Sequence, residues 1–142
     1  MKTIAAIALI AVLSPLNGCG DATPNTNNTA SPSMTGSWAF TMTPTDFPTD
    51  VIQATAALTQ TGNSVDGPVT LGGNYSGCGT AAVMSGTVTG DALSLQLTQS
   101  QSTLTFTGAA NAALTSASGT YTATAGECLQ SGGTGTWPAT KQ

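Results

Sequence analysis

From Gly36 onward, apolar residues fall at every second position, and turn-forming residues interrupt the pattern roughly every eight to twelve residues. A period of two puts alternate side chains on opposite faces of an extended chain, so each run specifies a strand with one buried and one wetted face. Trp38, Phe40 and Met42 make the first set, Ile52, Ala54, Ala56 and Leu58 the second, and Val65, Val69 and Leu71 the third. Met84, Gly86 and Val88 follow, then Leu93, Leu95 and Leu97, then Leu104 and Phe106. Ala117, Gly119, Tyr121 and Ala123 precede a last set of Gly135, Trp137 and Ala139. Eight short strands are predicted, and this part of the chain shows no helical periodicity.

Short connections favour antiparallel hairpins between sequence neighbours. An eight-strand meander removes its exposed edges most economically by closing on itself. The predicted fold is therefore all-β, an antiparallel up-and-down barrel, closed or nearly closed, with a β-sandwich of the same strands as the alternative. Closure would make Trp38 in the first strand and Trp137 in the last neighbours across the seam. Gly67-Pro68 interrupts the third run and suggests a bulge or an edge there.

Ahead of the strands, Met1-Lys2 and the apolar run over residues 4–13 have the form of a signal peptide, because the run is too short to span a bilayer. Leu16-Asn17-Gly18-Cys19 follows. It resembles the lipobox of bacterial lipoprotein precursors, with Leu three places before the cysteine and a small residue directly before it. Asn17 departs from the usual Ala or Ser. The resemblance implies cleavage before Cys19, acylation of that cysteine (palmitate among the chains) and a membrane anchor. Gly20, rather than Asp, follows the cysteine, which implies delivery to the outer membrane. The competing reading is ordinary signal cleavage after Gly20 or Ala22, giving a soluble periplasmic or secreted protein.

Residues 1–18 are thus assigned to the signal peptide and 19–35 to the lipidated terminus and a disordered tether. Residues 36–142 form one barrel domain. The tether carries Pro24, Pro32 and repeated Asn and Thr, and it lacks the apolar surface needed to offset its ordering entropy. Gly36-Ser37-Trp38, at the head of the barrel, is similar to the Gly-x-Trp that opens lipocalins and avidins. The polar residues by which avidins hold biotin have no counterpart, so the likeness implies a small barrel and carries over no cofactor.

Three cysteines, at 19, 78 and 128, leave an odd thiol in an exported protein. Acylation of Cys19 leaves Cys78 and Cys128 as an even pair, expected as a disulfide in an oxidising envelope. Two cysteines without histidine cannot complete a structural zinc site, and the carboxylates are too dispersed for calcium, so no metal is expected.

Only 6% of the residues are charged, against ~25% in ordinary soluble domains. There is no His or Arg, and after loss of the leader Lys141 is the sole basic side chain. Nucleic-acid binding needs a basic patch and is excluded on that ground. With no His to activate a serine, and with Asp46, Asp50, Asp66 and Asp91 placed beside turns, no catalytic constellation can be assembled and no enzyme is expected.

The remaining functions are a structural or interaction module, or a carrier of a small apolar ligand inside the barrel. Trp38, Phe40, Leu95, Phe106, Tyr121 and Trp137 would line the carrier's site, or would simply fill the interior, since eight-stranded barrels can be solid with side chains. The partner of an interaction module would be another envelope protein. Thr-x-Thr pairs such as Thr103/Thr105/Thr107 and Thr120/Thr122/Thr124 supply the outer face, in keeping with threonine's high β-propensity.

Overall fold

Each alternating run forms a strand, and the eight strands pair in sequence order until the last meets the first. The computed structural model describes residues 31–72, 79–100, 102–124 and 133–142. The strands are β1 (Gly36–Pro44), β2 (Ile52–Thr61), β3 (Ser64–Gly72), β4 (Ala81–Thr89), β5 (Ala92–Gln99), β6 (Ser102–Ala110), β7 (Ser116–Thr124) and β8 (Thr134–Lys141). All neighbours are antiparallel, and the β1–β8 pairing closes the barrel, which excludes the sandwich. Cys19, Cys78 and Cys128 lie outside the described residues.

The register fixes the barrel's geometry. Successive partners run from Pro44 through Gly135, Tyr121, Phe106, Leu95, Gly86 and Val65 to Gln60. Gln60 lies two residues beyond Leu58, the partner of Gly36, and so faces the register of Met34. One circuit therefore advances ten residues along the chain, from Met34 to Pro44. With eight strands at ordinary spacings, that stagger tilts the strands by about 40°.

Two tight turns set the pairing at one end. Gly62 and Gly90 take φ of +59° and +62° as the first central residues of two-residue hairpin loops, where a positive φ matches the strand twist.

Strands β7 and β8 interlock through glycine and aromatic residues. Gly119-Thr120-Tyr121 meets Gly135-Thr136-Trp137 so that Gly119 faces Trp137 and Tyr121 faces Gly135. A Cβ on Gly135 would run into the Tyr121 ring, and one on Gly108, the β6 partner of Gly119, would lie 2.8 Å from Trp137 Cζ2. A Cβ on Gly119 would strike the Thr107 carbonyl oxygen. Inward glycines thus let strands approach closely and leave room for the rings beside them, a device that also curves a sheet toward closure.

The segment leading into β1 belongs to the folded unit, which begins at Ser31. Met34 is fully buried, and its N–H donates to Gln60 Oε1 at 2.7 Å. Trp38 Nε1 donates to the Met34 carbonyl at 2.7 Å, and Lys141 Nζ donates to the Ser33 carbonyl at 2.8 Å. Both ends of the barrel chain are therefore tied together where β1 starts and β8 finishes.

The closing seam joins the strands expected, but the two tryptophans sit at different levels along it. Trp38 faces Lys141, and Phe40 rather than Trp38 contacts the Trp137 ring. At Gly67-Pro68 there is neither a bulge nor an edge. The β2–β3 register is the same on both sides of the interruption, and β4 pairs through Gly67 and Pro68 without a break. Proline lacks the N–H that a β2 carbonyl would accept, which accounts for the local gap in pairing.

Outside, threonines align across strands: Thr103 with Thr124, Thr105 with Thr122 and Thr107 with Thr120. Such cross-strand pairs add modestly to sheet stability and keep an almost uncharged surface polar. Trp137→Ala is expected to cost about 3–5 kcal/mol in denaturant unfolding. Gly119→Ala, which would be mildly favourable in an open strand, is expected here to destabilise by about 1–3 kcal/mol through backbone displacement. A neutral or stabilising Gly119→Ala would refute the close-approach role.

Candidate functional site in the barrel interior

Alternation sends every second side chain of each strand inward, so the interior is built from the apolar sets read in the sequence. The six residues proposed as a ligand lining are all inside, none more than 4% exposed. Leu95, Phe106 and Tyr121 are successive partners on β5, β6 and β7 and form one inner row. Phe40 and Trp137 reach the same level from the two seam strands.

These side chains pack on one another. Phe106 is the hub, with ring centroids 5.7 Å from Trp137, 5.8 Å from Tyr121 and 6.4 Å from Phe40. Phe40 and Trp137 lie 5.8 Å apart. The Phe106–Trp137 planes meet at 81° and the Phe40–Phe106 planes at 67°, the edge-to-face geometry that the ring quadrupoles favour. Trp137 Nε1 donates to the Thr120 carbonyl at 3.0 Å, so its one polar atom is satisfied within the β7–β8 pair. Trp38 stands apart, at the end closed by Met34, and shares no ring contact with the other four aromatics among the described residues.

Among the described residues, two polar side chains that the sequence reading assigns to turns are buried in the interior. Gln99 and Ser102 are fully buried partners at the β5–β6 turn, and Gln99 Nε2 donates to the Gly79 carbonyl. The signal was present, since Leu93, Leu95 and Leu97 continued by two reaches Gln99, but its polarity disguised it as part of the turn.

The carboxylates are scattered. Asp46 and Asp50 lie in the β1–β2 connection, Asp66 on the outer face of β3, and Asp91 in the β4–β5 turn. Among the described residues, no three His, Cys, Asp or Glu side chains come together as a metal site. What the interior can do chemically is bury apolar surface around a linked ring cluster. No protein-family model, curated protein or solved structure matches the chain. The closed eight-strand antiparallel barrel agrees in architecture with the lipocalin and avidin likeness of Gly36-Ser37-Trp38.

A double-mutant cycle on Phe40→Leu and Phe106→Leu, read by denaturant unfolding, is expected to show about 0.5–1.5 kcal/mol of coupling. The Trp38→Leu and Phe106→Leu cycle is expected to be additive. Equal coupling in both would contradict a cluster that leaves Trp38 out.

Proposed function

We propose that the chain is a lipid-anchored, non-catalytic lipoprotein of the bacterial cell envelope, which presents its barrel as a structural or interaction module. The observation that carries this is Leu16-Asn17-Gly18-Cys19 directly after a short apolar run. Acylation at Cys19 anchors the chain to the outer membrane without a basic patch, because several acyl chains on one residue bind far more firmly than a single chain does. The dispersed carboxylates and the absence of His support a non-catalytic role. The packed ring cluster favours a module that works through its surface over a carrier of an apolar ligand in the interior.

In this reading Cys78 and Cys128 form a disulfide. Supporting it, β3 and β7 run in the same direction in the meander, so Gly72 and Thr124 end their strands on the same side of the barrel. Cys78 directly precedes Gly79, and Cys128 is four residues beyond Thr124. Closing a loop of about 50 residues would remove on the order of 4 kcal/mol of denatured-state entropy in the chain-entropy model.

Expression of the wild type and of Cys19→Ser, followed by fractionation and intact mass measurement, tests the anchor. Wild type is expected in the membrane fraction with an acylated N-terminal cysteine, and the variant is expected to lose both properties. A wild-type chain beginning at Asp21 or Thr23 and free in solution would establish ordinary secretion instead. The peptide pair containing Cys78 and Cys128 is expected two hydrogens light before reduction. Recovery of two free thiols would refute the disulfide.

A further inference from the structure

The barrel end crossed by Ser31–Thr35 also carries the Gly62-Asn63 turn, the Gly90-Asp91 turn and the connection between β6 and β7. Between these turns and Pro32 lies an open groove of about 400 Å³. That volume falls among small-molecule sites, which occur in the mouths of β-barrels. Pro32 and Ala112, both exposed, supply apolar surface over the buried Val88 and Leu114, while the exposed Asn63, Asp91 and Asn111 supply polar groups.

The groove is held in shape by its own hydrogen bonds. Asn111 Oδ1 accepts from the N–H groups of Thr115 at 2.8 Å and Ser116 at 3.2 Å, and Nδ2 donates to Thr115 Oγ1 at 2.9 Å. Within that clamp Leu114 takes φ of +51°, a left-handed conformation rare for a bulky residue. Strained backbone of this kind concentrates where a binding surface is preorganised. Asn111 is thus committed to the turn. The Asn63 and Asp91 side chains have no hydrogen-bond partner among the described residues, and the two occupy matching places in their hairpin turns.

We propose that this groove binds a neutral saccharide. A carboxylate accepts hydrogen bonds from adjacent hydroxyls, and a carboxamide both donates and accepts, so Asp91 and Asn63 together match a hydroxylated ring edge. The aliphatic surface of Pro32 and Ala112, backed by Val88 and Leu114, suits the C–H face of such a ring. Other ligand classes fit less well. An anion meets the Asp91 charge, and Lys141, the one basic side chain among the described residues, is not part of the groove lining. An alkylammonium leaves the Asn63 amide donors unused, and a purely apolar ligand strips water from both polar groups without replacing it. The proposal is independent of the anchor, and its failure leaves the Cys19 assignment untouched.

The test is ¹H–¹⁵N correlation spectroscopy of the full chain in a sugar-free zwitterionic detergent, titrated separately with cellobiose, diacetylchitobiose and a butylammonium salt. Saturable shifts with at least one disaccharide, confined to Asn63, Gly90, Asp91 and Leu114, are expected. Asp91→Ala and Asn63→Ala should each weaken binding about tenfold, and Asp66→Asn, on the outer face of β3, should leave it unchanged. Absence of saturable shifts with both sugars, shifts on the threonine face instead, or tighter binding of butylammonium would each overturn the proposal.

Discussion

The pairing of β1 with β8 is the constraint on which the rest of the molecule depends. Without it, two long strands would present unpaired backbone groups to solvent or to other chains. With it, no edge remains, and the stagger accumulated around eight strands must close at one register. That condition reaches into every strand. It requires the tilt, a narrow interior, and side chains small enough at some inward positions for large ones to fit at others. Gly119 facing Trp137, and Gly135 facing Tyr121, satisfy the requirement beside the seam.

The seam itself is not uniformly bonded. Its pairing skips Thr41 and Met42, opposite Pro138 and Trp137, where proline has no N–H to contribute. Compensation comes from both ends. Thr45 N–H donates to the Thr134 carbonyl at 2.8 Å, Gln142 N–H donates to the Ser37 carbonyl at 2.9 Å, and Lys141 reaches Ser33. Between those ends, Phe40 packs on Trp137 from across the gap, so ring contact replaces part of the missing ladder. Lys141, the single basic side chain among the described residues, is thus committed to holding the closure, in a barrel whose surface relies on threonine rather than charge for its polarity.

Much of this was legible in the sequence because the interior and the strand period share one cause. Trp38, Phe40 and Met42 alternate because every second residue of β1 faces inward, and the same rule located the inward set of every other strand. The rule fails where inwardness and polarity diverge. Gln99 and Ser102 face inward but read as turn residues, and Met34 packs into the barrel from a segment whose composition is that of a tether. Periodicity also specifies which face a residue occupies but not its level along the axis. Trp38 and Trp137 were therefore assignable to adjacent strands, while their separation by Phe40 depends on the ten-residue stagger. Gly67-Pro68 misled for a related reason: proline normally marks an edge, and closure leaves none. The groove beside Leu114 had no sequence signal, because it arises from three turns that only the closed barrel brings together.

Hydrogen exchange at the seam tests the primacy of closure most directly. If β1–β8 pairing is integral to the fold, the amides of Ala39, Thr43, Thr136 and Thr140 open only with the whole barrel. Their opening free energies should then match those of Leu95 and Phe106 in the β5–β6 pair and fall with denaturant at the same slope. Seam amides that exchange through a separate opening of lower free energy and shallow denaturant dependence, while β5–β6 stays protected, would contradict it.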